Sequence, residues 1–97
     1  MKSRTRQYMS DVAALGCIVC RNQAIETPAT LHHIRAGQGM AQRASHYLVI
    51  PLCPAHHLTG GVGVAIHSGK RQWEALYGTE LGLLAQTIEL VHKAIIE

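Results

Sequence analysis

Two short-spaced residue pairs constrain this chain more than anything else in it. Cys17-Ile-Val-Cys20 and Cys53-Pro-Ala-His56 share a two-residue gap and lie 33 residues apart. Each pair presents two donors from one turn of backbone, and two such turns close a tetrahedron around Zn2+ at bond lengths of ~2.0–2.3 Å. The set Cys17, Cys20, Cys53 and His56 is therefore a candidate structural zinc site. The rest of the sequence needs one. With 97 residues, 47 % apolar, 4 % aromatic and no Phe, the chain can build only a modest aliphatic core. Domains of this size commonly rely on a metal, disulfides or a partner. An odd count of three Cys argues against a disulfide framework, whereas a structural zinc contributes folding energy outright. Two other readings stay open: three free cysteines packed as small apolar side chains, and a thiol redox pair at Cys17–Cys20, which would need a βαβ setting that the sequence does not show.

Charge is distributed unevenly. Residues 1–71 hold eight Lys and Arg against two acids, while residues 72–97 hold one Lys against four Glu. A polyanion would dock on the basic part. No apolar run approaches the ~18 residues of a membrane span. The N-terminus MKSRTRQYMSDV lacks the apolar core of a signal peptide, so the expected location is the cytoplasm. One domain over residues 1–97 is expected, without repeats or linkers.

The pattern predicts a helix over residues 3–15 stopped by Gly16, a tight knuckle over 16–23, and strands over 30–35 and 47–52. Between the strands lies a loop, which makes a hairpin. A helical turn starts near Pro54 and stops at Gly60–Gly61. A helix follows Ser68 as N-cap and ends at Gly78. Thr79 caps a last helix over residues 80–96. In that helix Leu81, Leu84, Ile88, Val91 and Ile95 fall at helical spacing and are expected to pack on the core, widened by Leu83 and Leu90.

Seven His in so short a chain is the second unusual feature. His92 reads as an exposed side chain of the last helix. His32 and His33 stand in an apolar strand, His57 follows the second zinc pair, and His67 precedes a helix. Together they are too many for incidental packing.

The order C-x2-C, then His-His-Ile, then a strand ending in Leu-Cys-x2-His-His, resembles the His-Asn-His (HNH, ββα-metal) endonucleases. The stretch SHYLVIPLCPAHHLTGGVGVAIHSGKR, residues 45–71, is similar to the phage recombination-enhancing nucleases and their short prophage relatives, and the resemblance spans residues 9–77. It implies an α+β fold: a small ββα-metal core with a structural zinc knuckle and flanking helices. It implies His33 as general base, His32, His57 and His67 as ligands of one catalytic divalent ion (Mg2+, Mn2+ or Zn2+), and Ser45 or His46 in the place of the Asn that steadies the base in the family. It implies DNA as substrate inside a bacterial host cell, with a recombinase filament as a second partner. The full-length enzymes carry a long basic arm ahead of the core, where this chain has Lys2, Arg4 and Arg6.

The chemistry is coherent in itself. Phosphodiester hydrolysis needs a proton acceptor, which an imidazole of pKa ~6.5 supplies, and charge stabilisation at the phosphate, which a divalent ion supplies. One geometric tension follows. Neighbours on a strand face opposite sides, so His32 and His33 can border one site only if the strand bends or ends there. His57 and His67 are ten residues apart, so the Gly-rich segment between them must fold back. Arg35, Arg43, Lys70 and Arg71 are the candidate phosphate contacts. Nothing in the sequence encodes base readout, so binding is expected to run through the backbone and to weaken with salt. The competing function is a non-catalytic, zinc-stapled DNA-binding or interaction module, in which the extra histidines are incidental.

Overall fold

The structure, a computed structural model, describes residues 3–35 and 46–96. It is a small α+β arrangement in the order α1 (Ser3–Ala14), α2 (Ile18–Asn22), β1 (Thr30–His33), β2 (Val49–Leu52), a π-helical turn (Ala55–Thr59), a 3-10 turn (Ile66–Ser68), α3 (Lys70–Tyr77) and α4 (Glu80–Ile96). Among the described residues no helix is long and apolar enough to cross a membrane.

The hairpin is antiparallel, with Thr30 opposite Leu52, Leu31 opposite Pro51, His32 opposite Ile50 and His33 opposite Val49. All four residues of β2 are buried, because both of its faces are covered. Strand alternation sends successive side chains to opposite faces. Ile50 and Leu52 join Cys17, Ile18, Ile34, Trp73, Leu83 and Leu84 in the larger core cluster. Val49 turns the other way and packs with Val12 of α1 and Val91 of α4. Pro51 is tolerated because a two-stranded sheet leaves one side of each strand outside the ladder.

Both strands are shorter than their apolar runs suggest. Thr30–Arg35 narrows to Thr30–His33, although the Ile34 amide still reaches the Leu48 carbonyl at 2.8 Å. The knuckle over 16–23 is a one-turn helix whose N-cap is Cys17, the thiol accepting from the Cys20 amide. Gly16 precedes it at φ +76°, where an added Cβ would meet the Thr27 carbonyl oxygen at 2.9 Å. That is the approach required for the Cys17 amide to donate to the same oxygen.

Two helix expectations need correction. Ser68 does not cap α3: it closes the preceding 3-10 turn, and Gly69 takes the N-cap position without a side-chain bond. The Leu81–Ile95 stripe does not face the core as a unit. Leu84 and Val91 are buried, but Leu81, Ile88 and Ile95 are exposed. The buried side of α4 runs through Glu80, Leu83, Leu84, Thr87 and Val91. Two polar residues on that face are satisfied locally or by the site. Thr87 donates to the Leu83 carbonyl at 2.8 Å, the usual way a Ser or Thr is accommodated inside a helix. Thr79 does cap α4, accepting from the Gly82 amide at 3.0 Å. The loop expected between the strands falls largely on residues 36–45, outside the described residues, as do Arg43 and Ser45.

Candidate metal centres and cleft

Four donors converge where α2 meets the end of β2. His56 Nδ1 lies 3.7 Å from Cys17 Sγ, 3.6 Å from Cys20 Sγ and 3.2 Å from Cys53 Sγ, and the Cys20 and Cys53 sulfurs are 3.9 Å apart. A tetrahedral ion with bonds of ~2.0–2.3 Å spaces its ligand atoms about 3.3–3.8 Å apart, so the donor positions fit zinc. All three cysteines are buried and free of disulfides. Burial pushes the Cys17 thiol up to about 11, so without a cation Cys17 is a protonated thiol. A bound metal would take it as thiolate. Burial also holds His56 below the ordinary imidazole value, which favours the neutral ring that ligates. These four residues could hold a zinc ion tying α2 to the turn after β2.

Beside it lies a second cluster. The ligating atoms of His32, His57 and His67 lie within 4.8 Å of one another, with ring centroids 4.9–5.2 Å apart. Three different elements deliver them. His32 comes from β1. His57 comes from the π-helical turn, whose Cys53-to-His57 and Ala55-to-Gly60 backbone bonds place His56 in one cluster and His57 in the other. His67 comes from the 3-10 turn, and the Gly-rich segment does fold back as its position demands. Two aromatic side chains of α3 pin that segment: Trp73 Nε1 donates to the Val64 carbonyl at 3.0 Å and Tyr77 Oη to the Gly63 carbonyl at 2.9 Å. The fold-back is tight at Gly60, where a Cβ would lie 2.4 Å from Val64 Cγ1 and 2.5 Å from the Ala55 carbonyl oxygen.

The tension at His32–His33 resolves as the strand geometry requires. The two rings leave β1 on opposite faces. His32 is buried against the cluster, while His33 is half-buried and pairs with His46, Nε2 to Nδ1 at 3.3 Å. Because β1 ends at His33, both still border one open cleft of about 320 Å3, with Arg35, Ile66, His67, Lys70 and Glu80. Burial, then the charges of His46, Arg35 and His32, hold His33 below the ordinary imidazole value. Burial, then His32 and His67, do the same for His57. Both rings are therefore kept neutral at neutral pH.

The basic residues are arranged unequally. Arg35 is exposed at the cleft and Arg71 is exposed on the first turn of α3. Lys70 lies at the cleft but is already paired, Nζ to Glu80 Oε1 at 3.0 Å.

Glu80 is the residue that the sequence hides. It is 5 % exposed, and its Oε2 lies 2.6 Å from His32 Nε2. Burial alone would raise its pKa, but the hydrogen bonds and charges of His32 and Lys70 outweigh it and hold the carboxyl below its ordinary value. Read alone, Glu80 is only the first residue of a capped helix; its partner is 48 residues away. Thr30 is a second such residue, its hydroxyl 3.1 Å from His57 Nδ1.

Fold and donor sets together define a class: a small α+β protein with a zinc-type Cys3His cluster and, against it, an imidazole cluster open to a cleft. Within that class the chain belongs to the family described as recombination enhancement, RecA-dependent nuclease, which matches residues 2–92. It is thus a member of a nuclease family associated with recombination. Comparison with curated proteins finds no match.

Proposed function

We propose that this protein is a metal-dependent endonuclease of the HNH type that hydrolyses DNA phosphodiester bonds with little sequence preference, acting within the host cell together with a RecA filament. The observation that carries the reading is the separation of four histidines into two roles: three converge as a ligand set, and His33, on the other face of β1, borders the same cleft without joining them. A binding module has no use for a neutral imidazole held apart from the ligand set at that place.

The donor set fits a divalent ion, since three neutral imidazoles suit Zn2+ and related metals and leave coordination positions open. When bound there, such an ion (Mg2+, Mn2+ or Zn2+) supplies charge stabilisation for a non-bridging phosphate oxygen and the leaving 3′-oxygen. The chain's own residues do the rest. His33 Nε2 lies 3.3 Å from His46 Nδ1, and this contact gives His46 the orienting role. Water loses a proton to His33 as its oxygen bonds to phosphorus, and the P–O3′ bond breaks. Arg35 and Arg71 bind the flanking phosphates, and Lys70 contributes through the ammonium hydrogens that Glu80 leaves available. The description of the family ties nuclease activity to RecA, and we extend that dependence to this chain.

The test is nicking of supercoiled DNA by metal-replete protein, with and without RecA filaments, for the wild type and His33→Ala. The variant should keep its metals and its DNA affinity, which rests on phosphate contacts. It should lose roughly 100- to 10,000-fold in cleavage, the usual worth of a positioned general base, with partial recovery at high pH where hydroxide replaces the base. Undiminished cleavage in metal-replete His33→Ala would favour the non-catalytic module.

A further inference from the structure

The imidazole cluster has a second layer whose hydrogen bonds decide which nitrogen each ring can offer. We infer that Glu80 and Thr30 are positioning residues that fix the tautomers of His32 and His57, so that His32 ligates through Nδ1 and His57 through Nε2. This rests on the proposal that His32, His57 and His67 hold an ion.

Both halves follow from who can donate. A carboxylate only accepts, and Glu80 Oε2 faces His32 Nε2 at 2.6 Å. Nε2 must therefore carry the hydrogen, and the lone pair of the neutral ring sits on Nδ1. Glu80 is held in turn by Lys70 Nζ at 3.0 Å on its other oxygen, and its own amide donates to a Glu74 carboxylate oxygen at 2.7 Å. The Thr30 hydroxyl gives its one hydrogen to the Leu52 carbonyl at 2.9 Å. Towards His57 Nδ1, 3.1 Å away, it can only accept. His57 is thus the Nδ1–H tautomer with its lone pair on Nε2. Two adjoining rings are locked in opposite tautomers by two unrelated acceptors.

Packing gives no reason for a carboxylate at position 80, since a well-packed apolar side chain is commonly as stable as a buried ion pair or more so. Metal-ligating histidines, by contrast, commonly donate their second N–H to a carboxylate or other acceptor, and losing that acceptor typically weakens metal binding 10- to 100-fold. Glu80 also brings a negative charge next to three ligands that carry none.

The experiment uses Co2+ as probe, titrated into full-length protein whose Cys3His site is filled with zinc, with affinities taken by chelator competition. Glu80→Gln and Thr30→Val should each bind Co2+ about 10- to 100-fold more weakly than the wild type while retaining one zinc per chain. Nitrogen-15 spectra of histidine-labelled wild type, before the second ion is added, provide a readout that needs no variant to fold: His32 should be the Nε2–H tautomer and His57 the Nδ1–H tautomer. The reverse tautomer at either ring overturns the inference, as does undiminished Co2+ affinity in both variants. A wild type that binds no ion beyond the zinc overturns the proposed nuclease site and this inference with it; two ions in the wild type with unchanged affinity in the variants removes this inference alone.

Discussion

Replacing Trp73 separates what the core needs from what the site needs. Trp73 is the largest fully buried side chain among the described residues, and its indole N–H holds the Val64 carbonyl in the segment that carries His67. Trp73→Ala removes a complete aromatic from the main cluster, which costs about 3–5 kcal/mol. Leaving the Val64 carbonyl without its partner adds about 1–3 kcal/mol if water does not reach it. The sum is comparable to the whole stability of a typical domain, about 5–15 kcal/mol. The alanine variant should therefore be largely unfolded at 37 °C even with zinc present. Trp73→Phe keeps most of the ring and loses the N–H. The same unpartnered carbonyl costs about 1–3 kcal/mol, so at ~4–8 °C per kcal/mol in a domain of this size its melting temperature should fall by about 4–24 °C. Its Cys3His site should bind zinc as the wild type does, because no ligand there depends on Val64. Its Co2+ affinity at the histidine cluster should drop, because the segment that carries His67 has lost one of its two side-chain bonds from α3. The assay is far-UV circular dichroism melting of zinc-loaded protein, paired with Co2+ titration of the same samples. A phenylalanine variant that matches the wild type in both would refute the claim that the α3 aromatics position His67.

Other expected outcomes can be checked with the same tools. Cys53→Ser, or chelation of the wild type, should release zinc and unfold much of the chain, given apparent zinc contributions of ~10–16 kcal/mol in finger peptides; wild-type-like melting of Cys53→Ser would remove the staple. Zinc affinity should rise with pH, because the Cys17 thiol, pushed up to about 11, must give up its proton to ligate, and competition titrations at pH 6 and 8 would show it. His57→Ala should lose the second ion and keep zinc, and His56→Ala should do the reverse and melt earlier; metal analysis of both proteins decides whether the two roles are assigned correctly. Gly60→Ala should cost about 1–3 kcal/mol, the range for overpacking, since its Cβ meets backbone as well as Val64; an unchanged melting temperature would count against the tight fold-back.

The candidate donors leave a mark in the sequence and the residues that support them do not, for physical reasons. Cys17, Cys20, Cys53 and His56 stand out because each pair repeats a two-residue gap that suits a shared ion, and the fold brings all four together. The His32–His33 pair was legible as a conflict, and strand alternation resolved it in the direction geometry dictates. The α4 face was misjudged because the helix is apolar on two sides. Leu81, Ile88 and Ile95 make a regular stripe, yet the buried side passes through Glu80 and Thr87, polar residues that a hydrophobic pattern discards. Glu80 and Thr30 escaped because a hydrogen bond to a distant ring leaves no periodicity. Residue type alone favours Ser68 as a cap, while the chain starts the helix one residue later, at a glycine.

His56 and His57 are consecutive residues divided between the two donor clusters, so a single peptide link is common to both. An insertion or deletion in that turn would rotate one ring out of each. The backbone bonds from His57 to Cys53 and from Gly60 to Ala55 set the pitch of that turn, and the one pitch aims His56 at the three sulfurs and His57 at the other two imidazoles.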